Sequence, residues 1–161
     1  MIRSISRATA ALALTAVCAA AQAGLLTDDA PFVEGPLQLP AAPAPAELRT
    51  FDVSMTSTLQ YRIDTASLSY GDDRVWRYTV VIDSPEGARN VLYQGLRCDV
   101  RATKVFATYA DGRWRTASRS GWQPIVSGPN GYQAALASDW LCDNEAPAGT
   151  AANVARELRR R

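Results

Sequence analysis

Enzymes draw most of their acid, base, nucleophilic and metal chemistry from histidine, cysteine and paired carboxylates, and this chain holds few of them. It contains no histidine. A Ser-His-Asp triad, a Cys-His dyad and a histidine-bearing zinc site are therefore impossible within one copy. The single lysine, Lys104, stands at the start of a predicted strand with no S-x-x-K before it, so it makes no serine–lysine pair. No phosphate loop, dinucleotide fingerprint or calcium loop occurs, and no cofactor or metal is expected. Carboxylate chemistry is what is left. Asp64, Asp72, Asp73, Asp139, Asp143 and Glu145 are available, and two acids flanking a sugar bond would suffice for hydrolysis. Each also has a simpler place: Asp72 and Asp73 in a turn, Asp143 and Glu145 after a helix. No catalytic residue is assigned. The chain reads as non-catalytic, with a carboxylate-dependent hydrolase of envelope glycan or peptide as the alternative.

Cysteine usage follows from the amino terminus. Arg3 and Arg7 precede an apolar run over residues 8–20, and Ala21-Gln22-Ala23 supplies a small-x-small cleavage pattern. A run of that length suits an export signal and is too short for a bilayer, which needs roughly 20 apolar residues. Residues 1–23 are read as a signal peptide cut before Gly24. The rival is a lipoprotein signal, with Cys18 lipidated and the product a surface adhesin or inhibitor, but Val17 before it is branched where a small residue is needed. Cleavage leaves Cys98 and Cys142, 44 positions apart, in an oxidising compartment. A structural disulfide is expected, the alternative being two buried reduced thiols. The expected location is the periplasm, less readily the outer membrane or the medium.

Charge removes another class. Of 17 basic residues, losing Arg3 and Arg7 leaves 15 against 16 acidic ones. Nucleic-acid binding needs a concentrated basic surface, so it is not expected. No later apolar run is long enough to span a membrane. Binding chemistry then rests on aromatics: Trp76, Trp114, Trp122 and Trp140, with Tyr78, Tyr93 and Tyr109, are mostly core in a small β-rich domain. Trp122, Trp114 and Tyr109 are the candidate contacts for an envelope protein, peptide or glycan. Trp122 is the first choice, because it lies in a presumed loop between Gly121 and Gln123-Pro124.

The elements that must position these residues read as an α+β domain: mostly antiparallel sheet, one short C-terminal helix on a face, and one disulfide. Residues 24–47 carry Pro31, Pro36, Pro40, Pro43 and Pro45, which fix φ and remove donors, so they form an extended arm. Phe32, Val33, Leu37 and Leu39 could pin it to the domain, which spans residues 48–143. Alternation marks a strand over 59–63, and a second short one is read at 67–70, reversed by Gly71-Asp72-Asp73. In the strand over 75–83, Trp76, Tyr78, Val80 and Ile82 share the core face. The return strand over 91–98 places Leu92, Leu96 and Cys98 on one face, and Gly95 suggests a bulge. Asp111-Gly112 suits a type I′ turn between strands at 104–110 and 113–117, which sets Tyr109 opposite Trp114. Tyr132, Leu136 and Trp140 form one stripe of a helix over 132–142. Residues 144–161 are expected to be a flexible tail ending in a frayed, solvated helix, whose Arg156, Arg159, Arg160 and Arg161 could touch anionic lipid weakly.

The central run also carries a family likeness. Tyr61-Arg62-Ile63-Asp64 with Ser67-Leu68-Ser69, residues 75–81, Val91-Leu92-Tyr93-Gln94-Gly95-Leu96-Arg97-Cys98 and Lys104-Val105-Phe106-Ala107 resemble the CNP1-like family. Asp111-Gly112-x-Trp114, Trp122 and Trp140-Leu141-Cys142 fit the same pattern, over roughly residues 32–142. The resemblance implies a small exported protein of Gram-negative bacteria and a single domain. It brings no catalytic residues and no mechanism.

Overall fold

In the computed structural model the described residues are 31–160; the expected signal peptide over residues 1–23, its expected cleavage site and Cys18 lie outside them. Six strands run in spatial order β1 (Leu48–Thr50), β2 (Gln60–Tyr70), β3 (Trp76–Asp83), β4 (Arg89–Arg97), β5 (Ala102–Ala110) and β6 (Arg113–Thr116). A seventh, β7 (Gln123–Pro124), pairs with the start of β5, and every pairing is antiparallel. Asp111 and Gly112 both take positive φ, as a type I′ turn requires, and Tyr109 pairs with Trp114 in the expected register.

The expected face of β3 is the core face. Trp76, Tyr78 and Val80 join Ile63, Leu96 and Cys98 in the main cluster, with Leu92 and Ile82 packed against it. Two helical segments cover this side. One is α1 (Tyr132–Leu136), which continues as a wider π turn (Ala137–Leu141); Tyr132, Leu136 and Leu141 are buried and Trp140 is half-buried. The other is α2 (Ala151–Arg160). It corrects the reading of residues 144–161 as a flexible tail, because Val154, Ala155 and Leu158 are buried against the main core. Ala151, Val154, Ala155 and Leu158 follow the i, i+3, i+4, i+7 spacing of an amphipathic helix. The arginines point outward: Arg159 pairs with Glu47 at 2.8 Å and Arg160 with Glu157 at 3.7 Å.

Cys98 and Cys142 are bonded, with Cα atoms 5.7 Å apart. Cys98 sits just past β4, and Cys142 opens a two-residue strand, β8 (Cys142–Asp143), which pairs with β9 (Ala146–Pro147). The bond thus ties the end of a central strand to the end of the first helical segment. The two strands expected at 59–63 and 67–70 are one bent strand, β2, with its register shifted between Asp64 and Ser69. The excess residues fold on themselves: Ala66 N–H donates to Asp64 Oδ1 at 3.0 Å, and Ser67 Oγ bridges from the Asp64 carbonyl to Thr79 N–H. No helix among the described residues is long and apolar enough to cross a membrane.

Two stability measurements check this architecture. Closing a loop of 44 residues stabilises the fold by about 4 kcal/mol in the chain-entropy treatment, so replacing both Cys98 and Cys142 by alanine is expected to lower the denaturation free energy by about 2–4 kcal/mol. Leu158→Ala opens a cavity between α2 and β2 and is expected to cost about 2–5 kcal/mol in the same denaturant titration. A change within about 0.5 kcal/mol at Leu158, the usual range for surface positions, would show that the tail is solvated.

Candidate functional site

Two features lie at the β5 end of the sheet. The first begins with a break in the edge. β6 covers Ala107 to Ala110 of β5 and β7 covers Ala102 and Thr103, which leaves the stretch from Lys104 to Phe106 between them. A bulge accompanies that gap. Tyr93 pairs with Ala107 and Gln94 with Val105, so Phe106 is the extra residue. The bulge therefore lies on β5 and not at Gly95, which keeps its pairing with Lys104 and Arg77. Gly95 has a different reason: a Cβ there would stand 2.6 Å from the Phe106 ring and 3.0 Å from Trp122. Only glycine lets both rings lie on the strand backbone.

Beside the gap, on the α1 side, the loop over residues 118–131 walls off an open cleft of about 460 Å³. Gln94 lines it with Thr103, Ile125, Asn130 and Gln133, and no carboxylate does. Gln94 is 1 % exposed. Its Oε1 accepts from Tyr132 Oη at 3.0 Å and lies 3.5 Å from Tyr78 Oη, while its amide nitrogen has no partner among the described residues. Burial pushes the Tyr132 phenol up to about 12, and pushes Tyr78 well above the ordinary phenol range. Both are neutral donors at any physiological pH, and they hold the Gln94 amide with its oxygen turned into the protein. The cleft can donate and accept hydrogen bonds. The one ionisable residue among its lining is Lys104, whose ammonium is bonded to Glu34.

The second feature is an aromatic ladder on the opposite face, running Tyr109, Trp114, Tyr93, Phe106, Trp122, Phe32 with ring centroids 5.1–6.2 Å apart. It gathers all three aromatics singled out from sequence. Trp122 is not an exposed loop contact: it is half-buried, because the arm lies on it. Phe32 packs edge-on to Trp122, and the Arg97 guanidinium stands 3.7 Å from the Phe32 ring centre. Lys104 Nζ donates to both Glu34 oxygens at 2.9 Å, and Trp122 Nε1 donates to Glu34 Oε2 at 3.0 Å. Gly35 N–H donates to Asp73 Oδ2 at 2.8 Å, and Trp114 Nε1 donates to the Pro40 carbonyl at 2.8 Å. Of the four apolar residues expected to pin the arm, only Phe32 does so; Val33, Leu37 and Leu39 are 75 %, 39 % and 42 % exposed. Sequence reasoning missed Glu34, Arg97 and Phe106. The alternation Tyr93, Gly95, Arg97 along β4 is the pattern that marks this second face.

The six carboxylates are brought together nowhere. Asp64 is buried in the β2 bulge, where burial raises its pKa. Asp73 is bonded by Arg77, which holds its carboxyl below the usual range. Asp72 is exposed. Asp139, Asp143 and Glu145 line three different clefts, and each shares its cleft with at least one arginine. Among the described residues no cluster of acids and cysteines could hold a metal ion.

The residues quoted for the family likeness fall on β2 to β5 and the disulfide, and the model of the CNP1-like family matches residues 27–159. The chain belongs to the CNP1-like family. No curated protein and no solved structure matches it. The family match reaches past the sheet to include α2, so the covering helix belongs to the CNP1-like domain as fully as the strands do.

The neutral phenols at the cleft floor give a pH signature. Folded Tyr132 holds its proton more tightly than the unfolded phenol does, so its contribution to stability is whole below about pH 10. That contribution is lost as pH climbs towards 12, by about 3 kcal/mol. Tyr132→Phe is expected to flatten the fall in denaturation free energy over that interval. An unchanged slope would mean that the phenol is solvated.

Proposed function

We propose that this CNP1-like protein is exported to the periplasm and acts there as a non-catalytic binding protein, with the cleft floored by Gln94 as its ligand site. One observation carries the reading: Gln94 is 1 % exposed, lines an open cleft, and has an amide nitrogen with no partner among the described residues. In the free cleft that donor is left to water, and a ligand oxygen can take it without breaking a protein hydrogen bond. The cleft volume of about 460 Å³ falls in the range of small-molecule sites, roughly 300–1,000 Å³. Its lining is polar and carries no carboxylate, which suits a ligand rich in hydroxyl, carbonyl or amide groups, as envelope glycans and peptides are. Export is supported by the signal-like leader, and the Cys98–Cys142 bond suits an oxidising compartment. The outward arginines of α2 could add weak contact with anionic lipid. A hydrolase has no observation in its favour.

Two measurements test the proposal. Intact mass of the protein from a periplasmic fraction is expected to give a chain beginning at Gly24 with its two cysteines oxidised. A product retained in the cytoplasm with residues 1–23 attached, or one diacylated at Cys18, overturns the assignment. Titration of isotope-labelled protein with a peptidoglycan disaccharide, and separately with a short neutral peptide, is expected to shift the side-chain amide signals of Gln94 and Gln133 for one of them. Gln94→Leu should weaken that ligand about ten-fold, the loss of one good hydrogen bond. No shift at the cleft with either ligand refutes it.

A further inference from the structure

The segment over residues 32–44 occupies its face in a manner unlike the rest of the fold. It belongs to no strand, and no backbone–backbone hydrogen bond joins residues 32–43 to the sheet. Its hold is a set of side-chain contacts made by the sheet: Phe32 against Trp122 and Arg97, the Glu34 carboxylate on Lys104 and Trp122, the Gly35 N–H on Asp73, and the Pro40 carbonyl on the Trp114 indole. Those are the means by which a groove reads an extended peptide: an aromatic anchor, a carboxylate two residues on, and main-chain groups met by side chains. The other apolar side chains of the arm point to solvent.

We infer that the groove formed by Arg97, Trp122, Phe106, Lys104 and Trp114 is a peptide-binding surface, and that residues 32–44 are its internal ligand. The partner that fits is an extended, proline-containing peptide with an aromatic residue two positions before an acidic one, as in Phe32-Val33-Glu34-Gly35-Pro36. Charge argues for the acid. Arg97 and Arg77 have their own carboxylates in Asp99 and Asp73, whereas among the described residues Lys104 is paired only with Glu34. A vacant groove would turn that ammonium and two indole N–H groups over to water, so an occupant carrying a carboxylate at the place of Glu34 recovers the bonds that the arm makes. This surface lies on the opposite face of the sheet from the Gln94 cleft, and its test does not depend on that cleft's ligand.

The test uses the full exported chain with its disulfide intact. Glu34→Lys places a cation against Lys104 and should free the arm. The free peptide Pro31–Ala44 in its native sequence is then added, with Trp114 and Trp122 fluorescence as the readout. Saturable binding to the Glu34→Lys chain is expected, at least about ten-fold tighter than to the native chain, whose own arm competes. The same peptide carrying Phe→Ala or Glu→Gln should bind about ten-fold more weakly. Phe32→Ser provides a second freed chain should charge reversal perturb the fold, and limited proteolysis between residues 32 and 44 reports release in both. Equal, negligible binding of the peptide to both freed chains whose arms have become protease-sensitive overturns the inference. So does an arm that stays as protected in both variants as in the native protein.

Discussion

Trp76 and Arg77 are neighbours on β3 and point to opposite faces of the sheet, yet both are buried. The same holds for Tyr78 and Thr79, and for Val80 and Val81. An antiparallel sheet usually leaves one face to water. This one cannot, because the apolar and aromatic side chains of β3, β4 and β5 project both ways, and so it needs two covers. The helical segments and the disulfide supply one. Among the described residues no further helix or strand is left for the other, and the Pro-rich arm lies there.

The two covers are built on different physics. On the main face, Leu136, Leu141, Val154 and Leu158 contribute wholly apolar burial, and the Cys98–Cys142 bond fixes the first helical segment to the strand beneath it. Burial of that kind is non-directional and strong, of the order of 1.5–3 kcal/mol per large side chain. On the second face, the arm is placed by directional contacts to a carboxylate, an N–H and a carbonyl. Partly exposed pairs of that type contribute about 0–1 kcal/mol each, against an ordering cost of about 1–2 kcal/mol per residue that the prolines reduce. The arm is therefore the low-stability end of the domain, while the helices are part of its cooperative core.

That difference decides what could be read from sequence. Strand β3, the β5–β6 hairpin and the Tyr109–Trp114 pair were legible because alternation and Asp-Gly turn chemistry are local signals. The thiol pair was legible from count and compartment. A helix at α2 was legible but its docking was not: Ala and Arg look solvated, although Val154, Ala155 and Leu158 keep a helical stripe. The β2 bulge was legible only as a gap: alternation breaks over residues 64–66 and reads as two strands, because the local hydrogen bonds of Asp64 and Ser67 that keep it one strand have no sequence pattern. The arm was recognised as extended from its prolines, but Glu34 has no pattern that announces Lys104, 70 positions away. The cleft was invisible for the same reason: Gln94 reads as an ordinary strand polar residue until Tyr78 and Tyr132 are placed around it.

Bulge, glycine and arm form one arrangement at the broken edge of β5. The extra residue at Phe106 lays its ring on Gly95, and Trp122 lies against the same glycine. Trp122 is held by residues of the loop that walls the cleft, between Gly121 and Gln123, while its indole N–H is bonded to Glu34 of the arm. Lys104 spans the same two features, lining the cleft and binding the same carboxylate. The two faces of the sheet are opposite in space, but at this edge Lys104 belongs to both, and Trp122 joins the loop beside the cleft to Glu34 of the arm.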